Sequence, residues 1–252
     1  MIKFIENSPS LLIEEESILV IGDLHIGLAY ELQKGGLNIP KQIPNFEKRI
    51  EKLLKKTKAK TLIILGDVKH EVPGINYPEM VDIPKFLERL SKKVDIHICK
   101  GNHDTHLEKI VSDKIKIHSS GGFRIKNYFF YHGHEWPSEN FLNCSHVLLS
   151  HVHPVFEFKD KFGYKVTRPV WLKIKVKKNN FFKKYKTNKL GKIEIILIPS
   201  FNELLGGFPI NNANSEENIA PIFRNNIIDL KNSEIYLLDG TYLGKLKNII
   251  LS

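Results

Sequence analysis

The sequence predicts an α/β (α+β) protein, a four-layer αββα sandwich of two mixed sheets flanked by helices. Three observations predict it. Short apolar runs in the first hundred residues alternate with amphipathic stretches, the rhythm of a sheet with helices on its outer face. From residue 123 onward apolar runs follow one another with little helical pattern between them. The 252 residues, 42% hydrophobic and 26% charged, have an ordinary globular composition and suffice for one large domain. We expect a single domain over 1–252, with a basic hairpin at about 170–192 and a C-terminal extension at about 209–252.

Each element has its own warrant. SILVIGD (17–23) is a short apolar run ending in Gly-Asp, as a buried strand does. After a Gly- and Pro-rich stretch (34–44), Asn45 is placed to cap a helix that carries Phe46, Ile50, Leu53 and Leu54 at helical spacing. TLIILGD (61–67) repeats the strand with its Gly-Asp ending. Residues 78–92 form a second amphipathic helix through Ile83, Phe86, Leu87 and Leu90. VDIHICKGNHD (94–104) is a strand running into a loop, with His97 expected to face outward between Ile96 and Ile98. FRIKNYFFYHGH, SHVLLSHVH, VWLKIKVK, KIEIILIPS and EIYLLD read as successive strands, and the polar stretch 209–226 as a loop.

Composition also excludes. No apolar run approaches the ~18–20 residues that a membrane-spanning helix needs. The N-terminal MIKFIENSPSLLIEEES lacks a signal pattern and soon turns acidic. Cys99 and Cys144 are too few for a disulfide framework and suit a reducing compartment. Cys99 is expected to be a buried small hydrophobe rather than a catalytic thiol. A cytoplasmic protein without a membrane partner is expected.

Polar side chains recur just past the strand ends: Asp23 and His25 in GDLHIG, Asp67 and His70 in GDVKH, Asn102, His103 and Asp104 in GNHD, His132 and His134 in HGH, His151 and His153 in SHVHP. These stations hold seven of the eleven histidines, whereas His106, His118 and His146 have no such companions. Taken singly each station has a bland explanation, since strand-terminal Asp caps turns and Asn-Asp suits a tight loop. Five in order are hard to produce by accident, because loops at the carboxyl ends of strands converge on one crevice. Carboxylate, imidazole and an amide oxygen make a mixed N/O donor set that suits Mn, Fe, Zn or Ni better than Ca or Mg alone.

The ordered set D-x-H, G-D-x-x-H, G-N-H-D, H-G and H-x-H resembles the calcineurin-like metallophosphoesterases over residues 17–155. Ser150 stands where that family usually has Gly before the first His of the last motif. RPVWL (168–172) and IPSFNELLGG (198–207) are similar to the archaeal branch related to SbcD-type nucleases and PdeM-like phosphoesterases. The resemblance implies two divalent transition metal ions, Mn²⁺ foremost. Asp23, His25, Asp67 and His153 would hold one, and Asp67, Asn102, His132 and His151 the other, with Asp67 bridging. Such a pair clamps the attacking and leaving oxygens of an in-line displacement at phosphorus. The resemblance further implies that His103 acts on the substrate, that His70 contacts phosphate or orients a ligand, and that Asp104 and His134 orient ligands.

The net charge of +10 is local. Residues 161–192 hold twelve Lys or Arg and no acid, so the remaining chain sums to about −2. Lys177, Lys178, Lys183, Lys184 and Lys186 interleave with Phe181, Phe182 and Tyr185, a composition that can track a phosphate backbone and stack on bases, or simply form a solvated face. The expected function is hydrolysis of phosphodiester bonds in DNA or RNA. A small-molecule phosphatase or cyclic-nucleotide phosphodiesterase is the alternative enzyme, and a non-catalytic scaffold of the same fold the alternative of another class. A homodimer and DNA-repair protein partners are compatible with the resemblance.

Overall fold

The computed structural model describes residues 1–176, 185, 192–212, 220–224 and 227–250. Of the basic hairpin expected at about 170–192, residues 177–184 and 186–191, with Lys177, Lys178, Lys183, Lys184 and Lys186, lie outside them. Two mixed sheets face each other. The first has six strands in chain order: β1 (Ile2–Phe4), β2 (Leu11–Ile13), β3 (Ile18–Ile21), β4 (Thr61–Ile64), β5 (Asp95–Cys99) and β6 (Lys116–His118). β3 to β6 are parallel, β1 and β2 antiparallel additions at one edge. The apolar runs 18–21 of β3 and 62–64 of β4 are buried throughout and reflect burial on both faces, as parallel strands require.

The second sheet runs β13 (Phe208–Pro209), β10 (Pro154–Lys159), β11 (Lys165–Lys175), β12 (Glu194–Leu197), β9 (His146–Leu149), β8 (Tyr128–Tyr131), β7 (Phe123–Ile125). β14 (Glu234–Leu237) pairs with β11 and with β15 (Tyr242–Lys245). β11 is long enough to pair with β10 through 165–169, with β12 through 172–175 and with β14 through 170–173. Trp171 points inward and stacks on Phe4 of β1, 4.5 Å between ring centroids. Its neighbours Val170, Leu172 and Ile174 face the other way and are fully buried. Both faces of the second sheet are therefore covered.

Three helices precede residue 100: α1 (Leu28–Lys34), α2 (Ile43–Thr57) and α3 (Tyr77–Ser91). α2 and α3 lay Phe46, Ile50, Leu53, Ile83, Phe86, Leu87 and Leu90 on the outer face of the first sheet, against Leu19, Ile21, Leu62, Ile64, Ile96 and Ile98. Asn45 does not cap α2. The helix starts two residues earlier with Pro44 in its first turn, where the missing N–H costs nothing, and Gln42 as an N-cap without a side-chain bond. α3 carries the stronger start signal, a capping box of Asn76 and Glu79. The polar stretch 209–226 is only partly a loop: Ile222 of α4 (Pro221–Arg224) is buried, and the Asn211 amide pairs with both Glu157 main-chain groups at 2.9 Å, imitating a ladder pair. No helix among the described residues is long and apolar enough to cross a membrane.

His97 is a correction. Ile96 and Ile98 pack against the helices, so alternation turns His97 toward the second sheet, where it is half-buried. There its Nδ1 lies 3.0 Å from His118 Nε2, and His118 stacks on Phe123 at 3.6 Å. His118 thus pairs with His97, and among the described residues the two belong to no cluster of three donors. Burial, then His97, holds the His118 imidazole down at about 4, below the ordinary 6.5. Below pH 6.5 the unfolded chain takes up a proton that the folded one refuses until about 4, so stability falls as pH drops across that window. His118→Phe keeps the stack without the titration. Its melting temperature is expected to fall less than that of the unaltered protein between neutral pH and pH 4; parallel curves would contradict this.

Candidate metal centre

The five stations converge at the carboxyl ends of β3, β4, β5, β8 and β9. Asp23, His25, Asp67, His151 and His153 all adopt left-handed backbone, with φ between 42° and 71°. Side chains other than Gly, Asn and Asp pay for that conformation, of order 1–3 kcal/mol each, and hold it only where surroundings enforce it. Among the described residues, half of the ten such non-glycine positions thus fall on candidate ligands. Gly101 follows from the same crowding: a Cβ there would lie 2.1 Å from Asp67 Oδ1.

Two groups of donor atoms meet at Asp67. Its Oδ1 accepts the His103 main-chain N–H at 2.9 Å. Its Oδ2 lies 3.3 Å from His25 Nε2 and 3.2 Å from His132 Nε2. On the His25 side, Asp23 Oδ1 faces His153 Nε2 at 3.5 Å. On the His132 side, Nε2 lies 3.2 Å from Asn102 Oδ1 and 3.1 Å from His151 Nδ1. Leu65 carbonyl can only accept, so His132 Nδ1 carries the proton donated to it at 2.7 Å, and Nε2 is the nitrogen left to offer a lone pair to a cation.

These separations fit a cation. Bonds of about 2.1 Å place ligand atoms roughly 3.0 Å apart in an octahedron and 3.4 Å apart in a tetrahedron. Lone-pair atoms without a proton between them would otherwise repel. Asp23 Oδ2, His25 Nε2 and His153 Nε2 are moreover buried without a hydrogen-bond partner, a cost that coordination removes. The electrostatics agree. Burial pulls His132 down, yet Asp67 and Asp23 outweigh it and raise the imidazole to about 9. Burial likewise pushes Asp67 up, but His132 and His25 hold it well below the usual carboxylate range. Without a cation the two carboxylates draw a proton onto His132; a metal ion at this place would displace it. Burial, with His132 beside it, keeps His151 neutral, at about 3, as a nitrogen ligand must be.

Groups behind the donors hold them in place. Asp104, fully buried, accepts the N–H groups of Val68 (2.8 Å), Lys69 (3.3 Å) and Gly101 (2.8 Å), tying the Asp67 loop to the Asn102 loop. Burial and then Asp67 raise its carboxyl to about 6. His70 Nδ1 lies 3.1 Å from His25 Nδ1, and its Nε2 lies 2.8 Å from Glu31. With Nε2 of His25 as the inward lone pair, protons run one way, His25 to His70 to Glu31, which fixes the His25 tautomer. His103 donates Nδ1–H to His70 carbonyl at 2.5 Å, and its ring lies 4.6 Å from that of His25. His134 stands 5.3 Å from His132 and 6.0 Å from His151 by ring centroids, but its polar contact is Glu135 at 3.5 Å. It makes no hydrogen bond to a candidate ligand.

Four contributors escaped the sequence reading. Ser150 Oγ donates to Leu65 carbonyl at 2.5 Å and lies 3.1 Å from His132 Nδ1, so this serine steadies the same imidazole. Ser200 Oγ donates to Asp23 carbonyl (3.1 Å), and Asn202 Nδ2 to Leu24 carbonyl (2.8 Å), giving IPSFNELLGG its place behind the first station. Glu79, fully buried, accepts from His70 N, Glu71 N and Asn76 N at 2.7–3.0 Å. Only the spacing of the Asn76–Glu79 capping box signals it in the sequence. Glu79→Ala leaves three N–H groups without an acceptor. The expected cost is of order 3 kcal/mol or more, a melting temperature lower by roughly 6–12 °C. An unchanged melting temperature would contradict the assignment.

A family model of calcineurin-like phosphoesterases matches residues 16–197. Among solved structures, a nuclease from Pseudomonas putida, MPE, is similar at TM-score 0.55 and 19% identity, over 93% of this chain and 89% of its own. Yfce, a phosphoesterase from E. coli, aligns at TM-score 0.43 and 15% identity, over 93% of this chain and 99% of its own. At 19% identity the likeness to the nuclease is one of fold. No curated protein sequence matches the chain.

Proposed function

The chain belongs to the calcineurin-like phosphoesterase family and is a hydrolase of phosphoester bonds; from that premise we propose that it cleaves phosphodiester bonds of DNA or RNA with two divalent ions, Mn²⁺ foremost. Asp23, His25, Asp67 and His153 would hold one ion, and Asp67, Asn102, His132 and His151 the other. The observation that carries this reading is Asp67 Oδ2, set between two imidazole nitrogens that belong to different donor groups. When bound, the ions supply Lewis acidity, lowering the pKa of a water and neutralising charge on the phosphoryl oxygens.

The remaining work falls to the chain. His70 and Glu31 orient His25, and Asp104 and Ser150 keep the donor loops and His132 fixed. His103 cannot turn freely, because its Nδ1–H is held by His70 carbonyl. That leaves Nε2 to hand a proton to the departing oxygen as water adds to phosphorus and the P–O bond breaks. The products are a phosphomonoester and an alcohol, and His103 regains its proton from solvent.

Nucleic acid as substrate is supported by the twelve cations without an acid between 161 and 192, since phosphate contacts dominate such affinity. Of these, Lys165, Arg168, Lys173 and Lys175 lie on β11. That a protein of similar fold is a nuclease adds to it. A panel with Mn²⁺ tests the reading: bis-p-nitrophenyl phosphate, p-nitrophenyl phosphate, cyclic nucleotides, and single- and double-stranded DNA and RNA. Diesters and polynucleotides should be cleaved. Activity confined to the monoester or to cyclic nucleotides would favour the small-molecule alternative.

A further inference from the structure

We propose that the cavity beside His25 is a pocket for one unpaired nucleobase of the substrate. The inference rests on the phosphodiesterase reading and names the substrate group next to the scissile phosphate. The cavity, ≈ 280 Å³, lies between α1, α2 and α3 and shares His25 with the metal centre. Ile26, Ile43, Phe46 and Val81 give it an apolar interior, and Tyr30 and Tyr77 supply aromatic rings. Tyr77 is 77% exposed at the mouth, where nothing in the fold requires an aromatic ring. Lys41 and Asp82, paired at 3.3 Å, make a charged rim.

The chemistry of that lining selects a base. A nucleobase has apolar faces and a polar edge, which match an aromatic interior and a charged rim; an alkyl chain would leave the rim unused. Its attachment to a phosphate held at the donor groups brings it to the wall that His25 shares. The volume falls just below the ~300–1,000 Å³ range of small-ligand pockets, room for one ring system and too little for a base pair. The base must therefore be unpaired, and the pocket favours single strands and frayed ends over duplex. Tyr30 and Glu31 are adjacent on α1, and Glu31 meets His70 at 2.8 Å, so the pocket wall is tied to the metal centre.

The test is calorimetric titration of Mn²⁺-loaded protein with thymidine 5′-phosphate, deoxyribose 5-phosphate and phenyl phosphate. One base–aromatic stack is worth ~1–3 kcal/mol, so the nucleotide should bind about 5- to 150-fold more tightly than the sugar phosphate. Val81→Trp, which fills the cavity, should abolish that preference. If this variant fails to fold, Tyr30→Ala should cut the preference while Tyr30→Phe keeps it. Equal affinity for nucleotide and sugar phosphate, or a preference that survives both Val81→Trp and Tyr30→Ala, overturns the proposal. Tighter binding of phenyl phosphate than of nucleotide assigns the cavity to simple aryl esters and also overturns it. Hydrolysis of bis-p-nitrophenyl phosphate is measured alongside. A protein that prefers the base but cleaves no diester ends the phosphodiesterase reading and keeps the pocket, whereas a diesterase indifferent to the base ends the pocket alone.

Discussion

Asp67→Asn is expected to empty both metal positions and abolish turnover while leaving the fold intact. The asparagine Oδ1 can still accept the His103 N–H that Asp67 Oδ1 accepts at 2.9 Å, so the loop keeps its tie. Its NH₂ then stands where Oδ2 faces His25 Nε2 at 3.3 Å and His132 Nε2 at 3.2 Å. One substitution thus replaces an anionic donor with a hydrogen-bond donor in both groups. Loss of a partner behind a ligand already costs ~10–100-fold in metal affinity, and loss of a shared ligand should exceed that. Elemental analysis after dialysis should find little of either ion. Two ions retained, with normal hydrolysis, would end the bridging role.

His103→Ala should do the opposite, keeping the metals and losing the rate. The main-chain N–H that holds Asp67 survives the substitution, and none of the contacts among Asp23, Asn102, His132, His151 and His153 involves the His103 side chain. What disappears is the proton at Nε2. A general acid is worth typically 10²–10⁴-fold, so the rate on a diester with an alcohol leaving group should drop by about that much. Bis-p-nitrophenyl phosphate should lose less, because its leaving group needs little protonation. Metal loss in this variant would make His103 a ligand instead. Equal loss on both diesters would deny it the proton.

The donor stations were legible because their chemistry lies in ordered local motifs, each just after an apolar run. Asp23, His25, Asp67, Asn102, His132, His151 and His153 do come together. The sheet-and-helix plan was legible from the same runs. Illegible were contacts that couple distant segments. Glu79 serves main-chain groups at 70, 71 and 76, and Ser200 and Asn202 brace the loop at 23–24. No local pattern marks a side chain whose partner is 178 residues away. His97 misled for a related reason: alternation tells which residues share a face, not what covers that face, and here the second sheet half-covers it. Asn45 misled because proline in the first turn of α2 outweighed a capping side chain.

A pair of ions sharing Asp67 can be detected by titrating the metal-free protein with Mn²⁺. Electron paramagnetic resonance reports whether two Mn²⁺ ions are magnetically coupled, and bis-p-nitrophenyl phosphate hydrolysis is followed on the same samples. Two equivalents should bind per chain, the coupled signal should grow with the second, and hydrolysis should rise with that signal. A single equivalent, or two that give only the spectrum of isolated ions while activity is already full at the first, would contradict the shared ligand and with it the two-ion account.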